Sequence, residues 1–266
     1  MKQRLITAFL GLAIFCPILF LSNDIVFRIC FAVISAISAF EMLKCAGCIK
    51  KYLLSVPLIA FALSMPLIIS LESNKWYIVI LGIMFYSMIT LVLSNGSISA
   101  QDAGASFMGV LFISLSYGCV AIIREEFSYA FVLVYLGAWI SDTFAYIVGR
   151  AIGKHKLIPN ISPKKTVEGA IGGVIADMIV FPLFGLIMLW FTDFNVDFLL
   201  LSVLGLAVAV ISQLGDLVMS AIKRSYGVKD FGKVFPGHGG FLDRFDSTFT
   251  VAPLMCLALN IFNILY

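Results

Sequence analysis

Residues 168–190 read EGAIGGVIADMIVFPLFGLIMLW. The run contains no Lys or Arg, and its length is close to the roughly 20 residues that carry an α-helix across hydrocarbon. Similar runs recur over 5–21, 25–43, 52–70, 76–94, 104–122, 127–148, 197–220 and 248–265. In lipid every backbone polar group must be satisfied within the segment, so such runs are expected to be helices. Composition agrees with that expectation: 61% of the 266 residues are hydrophobic and 12% charged, and mean hydropathy is +1.06. A soluble domain carries about 25% charge and would lack polar surface at this composition. The expected fold is all-α and polytopic, with nine spans as the best count. Eight is the alternative, because the joint at 22–24 is short enough to make the first two runs one tight hairpin.

Charge placement orients the chain. With the N-terminus in the cytoplasm, 15 of the 18 basic residues fall inside, and only Arg28, Lys75 and Arg124 fall outside. The positive-inside rule therefore predicts a cytoplasmic N-terminus and an odd number of crossings. The basic start MKQR precedes an apolar run, but no small-residue cleavage pattern follows, so an uncleaved first helix is expected. Cys45 and Cys48 have CxxC spacing without the second pair or nearby histidine that would complete a zinc set.

The chain divides by character into an apolar scaffold, residues 1–125, and a second region, 126–266, in which polar residues become organised. Cytoplasmic loops at 149–167 and 221–247 carry most of the inside basic residues. Acids stand in the helices that border them: Asp142 in AWISDTFAYIVGR and Asp216 in SQLGDLVMSAIKR. Asp177 lies deeper, where an acid is costly unless paired or hydrated.

The second loop ends in PGHGGFLDRFDS, residues 236–247. Asp243 and Asp246 are three apart, so a helical segment would place both on one face. With Asp216 they offer three hard oxygen ligands suited to Mg²⁺; an acidic helix start would use the same letters. Gly237, Gly239 and Gly240 fit either close approach to phosphate oxygens or a turn into the last span. His238 fits phosphate binding, proton transfer or an interfacial hydrogen bond. In the first loop, ISPKKTVEGAIGG sets Ser162, Lys164, Lys165 and Thr166 before a helix, with Thr166 as a candidate N-cap and Glu168 in the first turn. Lysines and hydroxyls at a helix N-terminus suit a polyphosphate.

The stretch SAIKRSYGVKDFGKVFPGHGGFLDRFD resembles the signature of the phosphatidate cytidylyltransferase family, also called CDP-diacylglycerol synthases. The match runs through Ser220, Lys223, Arg224, Lys229, Asp230, Pro236, His238, Gly239, Gly240, Asp243, Arg244 and Asp246. SDTFAYIVGRAIGKHKL and ISPKKTVEGAIGG are similar to the same family, and Phe231 departs from it where a small residue is common. The resemblance implies transfer of CMP from CTP to phosphatidate, giving CDP-diacylglycerol and diphosphate in phospholipid biosynthesis. It implies a metal region of Asp216, Asp243 and Asp246 with Mg²⁺ and K⁺, and Lys223, Arg224 and Arg244 managing phosphate charge. It also implies a substrate site lined by 162–166 with Asp142.

The expected location is the bacterial inner (plasma) membrane with the active site facing the cytoplasm. No nucleic-acid partner is expected, and the sequence permits a homodimer. Two other functions fit parts of the pattern. A CTP-dependent lipid-alcohol kinase would share the membrane site and the nucleotide. A secondary transporter of an anionic solute would favour acids near the midplane, as Asp177 is.

Overall fold

A computed structural model of the chain describes residues 11, 13, 15–69, 75–192, 195–235, 239–262 and 264. Residues 5–10, 12 and 14 of the run 5–21, with Lys2 and Arg4, lie outside the described residues, as do Pro236, Gly237 and His238; residues 15–21 are helical. Eight helices follow: α1 Asp24–Cys45, α2 Tyr52–Ile68, α3 Trp76–Leu93, α4 Ala100–Glu126, α5 Phe131–Ile152, α6 Val167–Phe191, α7 Phe198–Ser225 and α8 Thr248–Ile261. Six of these are long and apolar enough to cross a membrane; α2 and α8 are apolar but shorter. The chain is an all-α polytopic membrane protein.

The helices start and stop where local chemistry dictates. The Asn23 side chain accepts the Val26 N–H at 2.9 Å and caps α1. Asp24 in its first turn and Lys44 in its last suit the helix dipole. Helix surfaces are greasy: Trp190, Phe191, Val92 and Leu199 are each more than 70% exposed, as lipid-facing side chains are. In α3 the pattern is inverted, and the buried residues are Ser87 and Thr90.

Two compact units emerge. One comprises residues up to Glu125 together with Ser225–Phe245; the other comprises Glu126–Arg224 and Asp246–Tyr266. The second basic loop is thus divided, and most of it folds with the N-terminal helices. In the first unit, Phe27 and Phe31 stack at 4.3 Å, and the Tyr117 hydroxyl meets Ser38 at 3.2 Å. Two of the three basic residues outside the charge pattern are partnered here. Arg28 pairs with Glu125, and Arg124 donates to the Leu19 and Ser22 carbonyls, stands 3.7 Å from Asp24 and covers the Phe27 ring.

In the second unit α5 and α6 approach so closely that a Cβ on Gly169 would collide with the Ala145 carbonyl. Between them the chain forms a small antiparallel hairpin, β1 Lys156–Ile158 and β2 Ser162–Thr166, with Lys156 opposite Thr166 and Ile158 opposite Ser162. Sequence periodicity gave no sign of it, because strands of three and five residues alternate too briefly.

A second expectation is corrected. Asp243 and Asp246 do not share a helix face: Leu242–Arg244 is a single 3₁₀ turn, and α8 begins only at Thr248. Short 3₁₀ turns rarely extend, and Phe245 leaves helical geometry at φ −120°.

Candidate active site

The hairpin and the N-terminus of α6 are held together by Thr166, whose hydroxyl accepts the Gly169 N–H at 3.2 Å. Glu168, in the first turn of α6, takes the His155 backbone N–H and ring Nδ1, the latter at 2.6 Å. These contacts fix β2 against the helix start. Lys164 and Lys165 then line a cavity of about 330 Å³, together with Asp142, Tyr146, Arg150, Thr166, Gln213 and Asp216. That volume lies at the small end of ligand sites.

Charges in this cavity are paired across elements of the second unit. Lys165 Nζ, from β2, lies 2.5 Å from Asp216 Oδ2 on α7. Ser220, one turn on, stands 3.5 Å from Asp216 Oδ1. Gln213 donates to Ser141 Oγ at 3.2 Å and to the Ala170 carbonyl at 3.1 Å, so α5, α6 and α7 are tied by one amide. Asp142 Oδ2 accepts the Ser247 hydroxyl at 2.9 Å. Asp246 accepts the Ser247 N–H at 2.9 Å and faces Lys223 at 4.0 Å. Burial pushes the Asp246 carboxyl well above the usual carboxylate range. The Asp216 and Asp142 carboxylates push the same way, against the pull of Lys223. Three acids therefore crowd one corner with two lysines beside them.

Sequence reasoning named most of this group. Asp142, Asp216, Asp246, Lys164, Lys165, Thr166 and Lys223 are brought to the cavity or its edge, and Ser162 begins the strand that carries the lysines. Thr166 uses its hydroxyl as the helix cap. Arg224 is exposed at the end of α7. Asp243, Arg244, Gly239 and Gly240 belong to the loop of the first unit, and His238 lies outside the described residues. Among the described residues no three His, Cys, Asp or Glu side chains form a group that could hold a metal ion. Asp243 Oδ2 accepts the N–H groups of Phe231 at 2.8 Å and Gly240 at 3.0 Å.

A model of the cytidylyltransferase family matches residues 2–262. The chain belongs to the cytidylyltransferase family. A Staphylococcus haemolyticus protein named phosphatidate cytidylyltransferase is 40% identical over 265 residues, covering 97% of this chain and 99% of that relative. Proteins of the same name from Staphylococcus saprophyticus and Staphylococcus aureus are each 39% identical, again over 97% of this chain and 99% of their own length. Membership in the cytidylyltransferase family gives the cavity of the second unit a nucleotide to be weighed against.

Gln213, Tyr146, Arg150 and Ser247 escaped the sequence reading. For Gln213 a signal existed: it is a lone amide in an apolar helix. Glu41 escaped too, although it is the sole acid in the run 25–43.

Proposed function

We propose that this chain transfers CMP from CTP to phosphatidate, forming CDP-diacylglycerol and diphosphate. The observation that carries the reading is the cavity in which Lys165 is ion-paired with Asp216 beside Asp142 and Asp246, in a chain 40% identical along its length to a phosphatidate cytidylyltransferase. The reaction forms a bond between a phosphatidate oxygen and the α-phosphorus of CTP. It breaks the bond from that phosphorus to the bridging oxygen, whose electron pair leaves with diphosphate. The lipid phosphate is itself the nucleophile, so no covalent enzyme intermediate is needed. The protein's task is to position two anions and balance their charge.

Lys164 and Lys165 supply positive charge on the hairpin side, where the α6 N-terminus adds its dipole. Asp216 holds the Lys165 ammonium in place, and Gln213 keeps α5, α6 and α7 in register around the phosphates. Lys223 offsets the charge of Asp246. The crowded carboxylates suit a hard divalent cation, which takes one or two carboxylates and fills its shell with phosphate oxygens and water. Asp216 and Asp246 would hold Mg²⁺; bound there it would neutralise phosphate oxygens. The K⁺ implied by the resemblance is given no ligand set here.

This reading places catalysis in the second unit and turns the cavity to the cytoplasm of a bacterial inner membrane, as the basic loops require under the positive-inside rule. It is tested with purified protein in detergent, given CTP, Mg²⁺ and phosphatidate. CDP-diacylglycerol and diphosphate are expected in equal amounts. Absence of both, from protein that is monodisperse and folded, overturns the reading. Release of CDP with phosphorylation of an added lipid alcohol would show the kinase instead.

A further inference from the structure

Glu41 sits near the C-terminal end of α1, in an apolar segment, and is 2% exposed. A buried carboxylate in a membrane helix is costly and calls for partners. Its partners come from the loop of the same unit, some two hundred residues later in the chain. Oε2 accepts the Leu242 N–H at 2.9 Å, and the Phe241 backbone hydrogen-bonds to the same group. The loop has no side chain where the carboxylate enters. A Cβ on Gly232 or on Gly240 would collide with Oε1.

The rest of the loop is folded around this entry. Asp243 ties Phe231 to Gly240 through its Oδ2, and Gly239 adopts φ +86°, a conformation that L side chains rarely take. A Cβ at Gly239 would also stand 2.8 Å from Asp243 Oδ2. On the apolar side, Phe235 packs on Phe241 at 4.7 Å, and Phe245 packs against Tyr117 and Phe15. Gly239 and Gly240, which fit both phosphate contact and tight turning in the sequence, are thus engaged by two carboxylates of the protein itself.

An apolar side chain would seal this interface without the cost of desolvating a charge. What a carboxylate adds is register: it fixes Leu242 and Gly240 at defined positions, and a slipped loop leaves it buried without donors. The chain leaves this clamped loop at Phe245, one residue before Asp246. We propose that Glu41 is a positioning residue for catalysis, setting the register of the loop segments 231–235 and 239–245 through Leu242, Gly232 and Gly240. The proposal rests on the reading of Asp246 as part of the active site.

The test is steady-state kinetics on detergent-purified full-length variants, expressed per folded, monodisperse molecule. Glu41→Ala lowers kcat about 30- to 100-fold, the scale of a misplacement near 1 Å, with KM for CTP changed less than about 3-fold. Glu41→Gln keeps an oxygen for the Leu242 N–H and restores kcat to within about 3-fold of wild type. Gly240→Ala is strongly impaired in the wild-type background but adds little loss to Glu41→Ala, because the space its Cβ needs has been vacated. An unchanged kcat in Glu41→Ala, or a Gly240→Ala defect of equal size in both backgrounds, overturns the proposal.

If Glu41→Ala gives no folded protein, Glu41→Asp decides against Glu41→Gln. The aspartate is a methylene short, so kcat falls at least about 10-fold while the Gln variant does not; equal rates overturn the proposal. Asp216→Asn, measured alongside, separates the two readings. If it is inactive while Glu41→Ala turns over normally, only the positioning role fails. If Asp216→Asn is fully active, the active-site reading fails first.

Discussion

The two basic segments look alike as letters, each with lysines, glycines and acids next to an apolar helix, yet they are built on opposite plans. Residues 156–166 form a backbone ladder, so their side chains are released and Lys164 and Lys165 line the cavity. Among the described residues of 231–245 the backbone ladder is a single bridge from Phe235 to Gly239, and acids fold them instead: Asp243 from within and Glu41 from α1. A loop whose backbone satisfies itself can offer charge to a ligand. A loop whose backbone needs carboxylates has committed those carboxylates to folding. The same residue types thus line a cavity in one unit and fold a loop in the other.

The sharpest way to break this comparison is to remove an acid on the cavity side. Asp216→Asn or Asp246→Asn is expected to lower kcat at least about 100-fold, because each takes charge from the site that would hold Mg²⁺. Thermal midpoint should move little, since these acids crowd one another more than they stabilise the fold. Diphosphate release together with a melting curve checks both halves. Asp243→Ala makes the contrast: it removes the oxygen that accepts the Phe231 and Gly240 N–H groups, so the thermal midpoint should fall together with turnover. A variant that loses activity with an unchanged midpoint would return Asp243 to the metal region.

A smaller effect is expected from Lys165→Met. It keeps the length of the side chain but removes one of the charges facing the cavity, so kcat/KM for CTP should drop about 10- to 100-fold. If the loss appears instead in KM for phosphatidate alone, the hairpin addresses the lipid rather than the nucleotide. Lys229→Met, on an exposed part of the other segment, should change either constant less than about 2-fold, within the range of ordinary surface substitutions.

How much of this was legible follows from which forces act locally. Helix positions were readable because apolar length is a property of the chain itself: the runs 76–94 and 168–190 became Trp76–Leu93 and Val167–Phe191 within a residue or so. Asp142, Asp216, Lys165 and Thr166 were readable because acids and hydroxyls at the ends of apolar runs have few other uses. The shared face of Asp243 and Asp246 depended on a helical segment, and the letters do not distinguish a helix from the 3₁₀ turn found there, because the two share the same short-range residues. Glu41 was missed for a different reason. Its partners, Leu242, Gly232 and Gly240, lie far along the chain, and nothing near position 41 announces them. Phe231, odd against the family pattern, is only 4% exposed in the loop interior, where its ring is buried and its N–H serves Asp243.

The smallest expected effect lies away from both loops, at Lys51 and Asp102, whose charged atoms meet at 2.7 Å between the start of α2 and α4. Both side chains are about a third exposed, so solvent screens the pair and its worth is below about 1 kcal/mol. The hydrogen bond that Lys51 donates to Asp102 raises the ammonium pKa above its ordinary value. The sign then follows: a lysine raised by folding contributes fully below its unfolded pKa, and its contribution is lost as pH climbs through the higher folded value. Lys51→Met should therefore lower the thermal midpoint by the same small amount at pH 7 and pH 9. The difference from wild type should shrink only when the pH passes the range of a free lysine. A penalty that already fades between pH 7 and 9 would mean that the pair does not hold Lys51 in its charged form. A penalty several times larger would mean that this corner of the first unit supports the fold as strongly as Glu41 and Asp243 support their loop.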